Sequence, residues 1–120
     1  MADHNELGKK GETIAADFLR KKGFRILELN WRHRKAEVDI IARLNDLIVV
    51  VEVKTRSGNY FGEPEAAVNR MKQKNLMYAA DAFIRMKNLS CEVRFDIISI
   101  VFSADQSSVL HIEDAFSPSH

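Results

Sequence analysis

Two neighbouring segments restrict this chain more than any other part of it. Leu47 to Thr55 (LIVVVEVKT) opens with five apolar residues in a row, and Glu37 to Ala42 (EVDIIA) precedes it. Short runs rich in Val and Ile favour strands. Asn45 and Asp46 lie between them, and both residue types tolerate the positive φ of a tight hairpin turn. Counting outward from a turn centred on that pair sets Ala42 against Val49, Ile40 against Val51, Asp39 against Glu52, Val38 against Val53, and Glu37 against Lys54. Val38, Ile40, Val51 and Val53 then share one face, and Ile41, Ile48 and Val50 share the other. A hairpin apolar on both faces needs cover on both faces, so the count predicts a sheet flanked by helices.

The remaining segments supply that cover. From about Asn5 to Lys22, Leu7, Gly11, Ile14, Ala15, Phe18 and Leu19 recur at helical spacing, with Gly23 as the cap. Glu12 lies beside this stripe. Phe24 to Asn30 reads as a strand, and Trp31 to Lys35 as a basic loop. Ser57 to Gly62 is a loop by its Gly, Ser and Asn content, and Pro64 suits the first turn of a helix. That helix runs to about Lys87, with Val68, Met71, Tyr78, Ala79, Ala82, Phe83 and Met86 as its core stripe. Asn88 to Ser90 breaks it. Glu92 to Phe102 reads as a long buried strand, Asp105 to Ser108 as a turn, and Val109 to Ile112 as an edge strand. The expected fold is one α/β domain over residues 1–120, ordered from about 5 to 116, with a mixed central sheet between helices.

A chain of 120 residues suits a single domain. No apolar run approaches the 18 or so residues of a membrane span, and MADHNELGKKG lacks a signal-peptide core. The single cysteine, Cys91, precludes an internal disulfide and suits a reducing cytoplasm. Net charge is only +1, but residues 1–80 carry 15 Lys and Arg against 11 Asp and Glu. That bias suits a phosphate-rich partner.

Two carboxylates about 5 Å apart repel by roughly 3 kcal/mol at an effective dielectric near 20. The opposition of Asp39 and Glu52 therefore needs an offset. Lys54, on the same face as Glu52, is one; a divalent cation between the carboxylates is the other. The pattern of an acid, any residue and Lys is weak alone, since chance supplies about one match in a chain of this composition. Its placement at the end of a buried strand opposite Asp39 raises it. One or two carboxylates, with water and phosphate completing the shell, are the usual holders of Mg²⁺.

Several segments, GETIAADFL, GFRILELNWR, EVDIIA, VEVKTR, FGEP, RFDIISI and HIEDAF, resemble the YraN-like family of small bacterial proteins, from about Gly8 to Phe116 in the same order. Ala36 departs from the family's usual Gly before the Glu of the second strand. The resemblance extends to the PD-(D/E)XK nuclease superfamily, which includes restriction enzymes and Holliday junction resolvases. It implies a restriction-endonuclease-like three-layer core. It also implies Asp39 and Glu52 as ligands of Mg²⁺ or Mn²⁺, Lys54 as the catalytic lysine, and Glu12 as the helical glutamate. The implied activity is phosphodiester hydrolysis of DNA, branched or single-stranded.

Arg34, Lys35, Arg56 and Lys72 are the candidate nucleic-acid contacts, against the competing reading of each as solvated surface. Glu37 is expected to pair with Lys54, and Arg94 with Asp96. His33 is a weak phosphate contact and His111 a packed or exposed histidine. Trp31 and Tyr60 are candidates for base stacking, with Trp31 also suited to the core. The competing reading is a binding or scaffold protein that keeps the fold and turns nothing over. The small basic portion leaves a symmetric homodimer open.

Overall fold

The computed structural model describes residues 4–58 and 68–117, with side chains from residue 6 onward. Helix α1 spans His4–Lys21. It ends where Gly23 takes φ 97° and Phe24 N–H returns to the Leu19 carbonyl at 3.0 Å. Strands β1 (Arg25–His33), β2 (Ala36–Leu44) and β3 (Leu47–Ser57) follow as an antiparallel meander. Helix α2 (Arg70–Met86) leads to β4 (Glu92–Phe102), which returns parallel to β3, and β5 (Ser107–Phe116) pairs antiparallel with β4. The sheet order is β1-β2-β3-β4-β5. Among the described residues the chain is thus a single α/β domain with a five-stranded mixed sheet and two helices.

The helices cover opposite faces. Ala15, Ala16 and Leu19 of α1 pack with Ile40, Ala42, Val49, Val51, Ile98 and Ile100. Leu76, Ala79, Ala80 and Phe83 of α2 pack with Val38, Ile41, Ile48, Val50, Phe95 and Ile97. The crossing of α1 over β3 depends on Gly11, where a Cβ would collide with the Thr55 methyl. Overpacking of that kind costs about 1–3 kcal/mol in a well-packed core.

The hairpin turn falls on Asn45 and Asp46, with Asn45 at φ 55°, and the ladder pairs Ala42 with Val49 and Ile40 with Val51 as counted. The ladder stops there, so Asp39 does not pair with Glu52, nor Val38 with Val53, nor Glu37 with Lys54. Val38 lies on the α2 face although Ile40 faces α1. Their β1 partners behave likewise: Trp31, opposite Val38, meets Phe83 edge-on, whereas Leu29, opposite Ile40, is exposed. The residue between those partners, Asn30, has φ 52°, a left-handed conformation that Asn tolerates and that reverses the alternation of faces.

Other boundaries also differ from expectation. Trp31 to His33 belong to β1, and only Arg34, at φ 57°, and Lys35 form the turn. Strand β5 takes Ser107 and Ser108 from the expected Asp105–Ser108 turn and runs past Ile112 to Phe116. Helix α2 starts at Arg70, with the Asn69 side chain capping the Lys72 N–H. The Gly62, Pro64 and Tyr60 assignments lie outside the described residues. Met71, Tyr78 and Met86, expected in the core, are exposed. They sit seven and eight residues apart along α2, outside the stripe of Leu76, Ala79, Ala80 and Phe83 that packs into the core.

Candidate active site

Below Val51 the ladder ends, and β2 and β3 part. In the gap the Asp39 carboxylate accepts the Val53 N–H at 2.8 Å, doing what a backbone carbonyl of β2 would otherwise do. Glu52 belongs to the α2-facing set of β3 and is only 3% exposed. Together with Lys35, Ala36, Glu37, Asn69, Met71, Lys72, Asn75 and Leu76, these two acids line a cavity of about 470 Å³. The cavity is roofed by the first turns of α2 and floored by the parted strands.

Two lysines hold Glu52. Lys54 Nζ stands 3.3 Å from its Oε2, and Lys72 Nζ bonds to the same oxygen. Burial, followed by repulsion from and hydrogen bonding with Glu52, pushes the Asp39 carboxyl up to about 8. Burial, then the neighbouring Lys72, holds Lys54 below the usual lysine range against the opposing pull of Glu52. Lys72 is lowered by burial, but its contacts with Glu52 outweigh this and leave it raised.

Glu12 does not line this cavity. It borders a separate groove with Lys9, Thr13, Leu29 and Asn30. Burial raises its carboxyl, a hydrogen bond from Asn30 offsets part of that, and Glu37 and Glu52 add repulsion. It lies within electrostatic reach of the acidic pair without joining it. Glu37 pairs with Arg32 at 2.8 Å rather than with Lys54. Arg34 is exposed in the β1–β2 turn, and Lys35, beside it, reaches the cavity wall. Arg56 donates to the Thr55 carbonyl at 3.1 Å and is not among the cavity residues. Ala36, where the resembling family has Gly, is buried against the cavity.

Sequence reasoning missed Asn69 and Asn75. Asn75 lies nearly one turn beyond Lys72, so helical spacing alone places it beside a lysine already under suspicion. Among the described residues, no group of three or more His, Cys, Asp or Glu side chains converges as a metal cluster. A hard cation in this cavity would rely on Asp39 and Glu52, with water and phosphate completing its shell, and that donor set fits Mg²⁺ or Mn²⁺.

A second polar centre lies at the β4–β5 end of the sheet. Asp96, buried, accepts from Arg94 Nε and Nη2 at 2.9 Å each and from the Asp114 N–H at 3.0 Å. His111 Nε2 stands 2.7 Å from the same carboxylate, and Lys22 Nζ lies 2.8 Å from His111 Nδ1. Burial alone would raise Asp96, but the bonds from His111, Arg94 and Asp114 outweigh it and hold the carboxyl below its ordinary value. The Arg94–Asp96 pair was foreseen. His111 proves packed, and its tie to Asp96 was not foreseen.

The fold and cavity define a small α/β domain with a buried acid–lysine cluster where two central strands diverge. Residues 11–100 match the family described as Uncharacterised protein family UPF0102, and the chain belongs to that family. It is 47% identical over 116 residues to a UPF0102 protein of Christiangramia forsetii, covering 97% of this chain and 98% of that one. A UPF0102 protein of Flavobacterium psychrophilum is 46% identical over 116 residues, with the same coverage. One of Bacteroides thetaiotaomicron is 43% identical over 118 residues, covering 98% of both chains.

Proposed function

We propose that this protein is a Mg²⁺- or Mn²⁺-dependent phosphodiesterase acting on DNA, with the restriction-endonuclease-like core and catalytic set of the PD-(D/E)XK nucleases. The observation that carries this reading is the convergence of Asp39 and Glu52 on one cavity beside Lys54 and Lys72. A cation held by the two carboxylates would supply Lewis-acid assistance and a more acidic water at the scissile phosphate. Lys54, whose proton affinity is lowered by burial, suits the positioning of that water and the neutralisation of charge on phosphorus. Lys72, Lys35 and Arg34 would meet flanking phosphates, and Arg56 would do so from the end of β3. Glu12 would act across Asn30 on the local field rather than as a direct ligand. The working setting is the cytoplasm, where Cys91 stays reduced, and a homodimer would double the grip on a branched substrate.

One observation favours the second reading, a nucleic-acid-binding or scaffold protein without turnover: both lysines already satisfy Glu52. Calorimetric titration of Mn²⁺ into wild-type and Glu52→Ala protein separates the two, followed by a panel of single-stranded, duplex and junction DNA. Wild-type binding that Glu52→Ala abolishes, together with cleavage, supports the hydrolase. Absence of cleavage across the panel with Mn²⁺ present leaves the binding protein.

A further inference from the structure

Beside the cavity lies a row of aromatic rings that the proposed hydrolysis does not use. Trp31 and His33, two residues apart on one face of β1, stack with ring centroids 5.8 Å apart and planes within 5°. Tyr78 of α2 continues the row, its centroid 5.7 Å from His33 at a 44° tilt. Phe83 buttresses Trp31 edge-on from the core side, at 5.4 Å and 87°. The row is therefore propped from below. Tyr78 is 48% exposed, and Met71 leaves another apolar surface open on the same helix.

The row adjoins the cavity through covalent and ladder neighbours. His33 pairs with Ala36, a cavity residue, and Tyr78 lies nearly one turn beyond Asn75, another. Arg34 and Lys35 occupy the turn between His33 and Ala36, and exposed Lys74 lies one turn before Tyr78. Cations thus border the rings on both the strand and helix sides. Aromatic faces interleaved with cations, next to a phosphate-processing pocket, suit a strand whose bases are free to stack. In a duplex the base faces are already occupied.

We infer that Trp31, His33 and Tyr78 form a stacking subsite for unpaired nucleobases, which selects single-stranded DNA or the unpaired arm of a branched substrate. The inference rests on the nucleic-acid reading above and extends it to substrate class. Phosphates run past Lys35 toward Asp39 and Glu52 while the adjoining base lies against the rings. Tyr78 contributes its ring rather than its hydroxyl.

The only tryptophan of the chain sits in this subsite, so its fluorescence reports on the site directly. The intact protein is titrated with an oligothymidylate, an abasic oligomer of equal length, and a blunt duplex of equal charge. Oligothymidylate is expected to quench Trp31 and to bind about tenfold more weakly to Tyr78→Ala, with Tyr78→Phe restoring wild-type affinity. The abasic oligomer and the duplex are expected to bind without that quenching and to ignore both substitutions. Equal binding and quenching by the abasic oligomer overturns the subsite, as does a Tyr78→Ala effect confined to oligomeric state. Binding of none of the three overturns it as well. Cleavage with Mn²⁺ is scored separately. Quenching without cleavage defeats the hydrolase and leaves the subsite, whereas cleavage indifferent to unpaired bases defeats the subsite alone.

Discussion

Asp39 has two duties that pull against each other. It accepts the Val53 N–H, and it lines one cavity with Glu52. Its carboxyl is raised to about 8, so its unfolded counterpart ionises at lower pH than the folded one. The folded state is therefore favoured most below the unfolded value of about 4, and that advantage is lost as pH rises toward 8. Asp39→Asn keeps an oxygen for Val53 and removes the charge. We expect it to stabilise the metal-free protein by about 1–3 kcal/mol at pH 8 and by much less at pH 5, while abolishing the thermal stabilisation given by Mn²⁺. Denaturant melts at both pH values check this; a loss of stability at pH 8 would mark Asp39 as a purely structural partner. Asp96 behaves in the opposite sense. Its folded value is depressed, so its contribution is present above about pH 4 and is lost as pH falls through the folded value. Asp96→Ala leaves Arg94 without its buried partner and is expected to cost about 3–5 kcal/mol at pH 7. Urea midpoints against wild type measure that loss. The Arg94–Asp96 pair was legible in the sequence, because residues two apart on a strand share a face. His111 was not legible as a further partner, since the contact joins residues on different strands whose register shifts between Phe95 and Ile97.

At the level of elements, local chemistry foretold most of what formed. The Asn45-Asp46 turn fixed the hairpin register as far as Ile40 and Val51 because a two-residue loop leaves little freedom. Counting failed beyond that point because counting assumes an unbroken ladder. The left-handed Asn30 on the neighbouring strand is invisible to any pairwise count within β2 and β3. Asp39 and Glu52 converge on one cavity where the strands separate, not where they pair as an unbroken ladder would have it. The apolar pattern of α2 is wider than its buried face, because Met71, Tyr78 and Met86 are apolar enough to mimic a core stripe while lying exposed. Two changes test the elements that frame the cavity. Gly11→Ala forces α1 off β3 at Thr55 and is expected to lower stability by about 1–3 kcal/mol, seen as a lower melting temperature. Asn69→Ala removes the cap beside Lys72 and is expected to cost about 1 kcal/mol, with loss of helical signal at lower denaturant concentration.

For the molecule as a whole, charge placement outweighs net charge. A formal balance of +1 conceals a cavity rim of Lys35, Lys72 and neighbouring Arg34 and Lys74. Neutralising about four phosphates of a single strand should give a slope near −3 when the logarithm of affinity is plotted against that of salt concentration. Fluorescence titration of oligothymidylate over a salt series reads that slope, and a value near zero would remove nucleic acid from the account. No helix among the described residues is long and apolar enough to cross a membrane. The helices cover the sheet from both faces, and β2 and β3 part beneath the start of α2, where the cavity opens. That unzipped fork carries a standing cost: two strands forgo hydrogen bonds that the same backbone could make. Selection for heat resistance alone should favour closing the fork, and lineages that drifted that way would gain toughness as their cavity vanished.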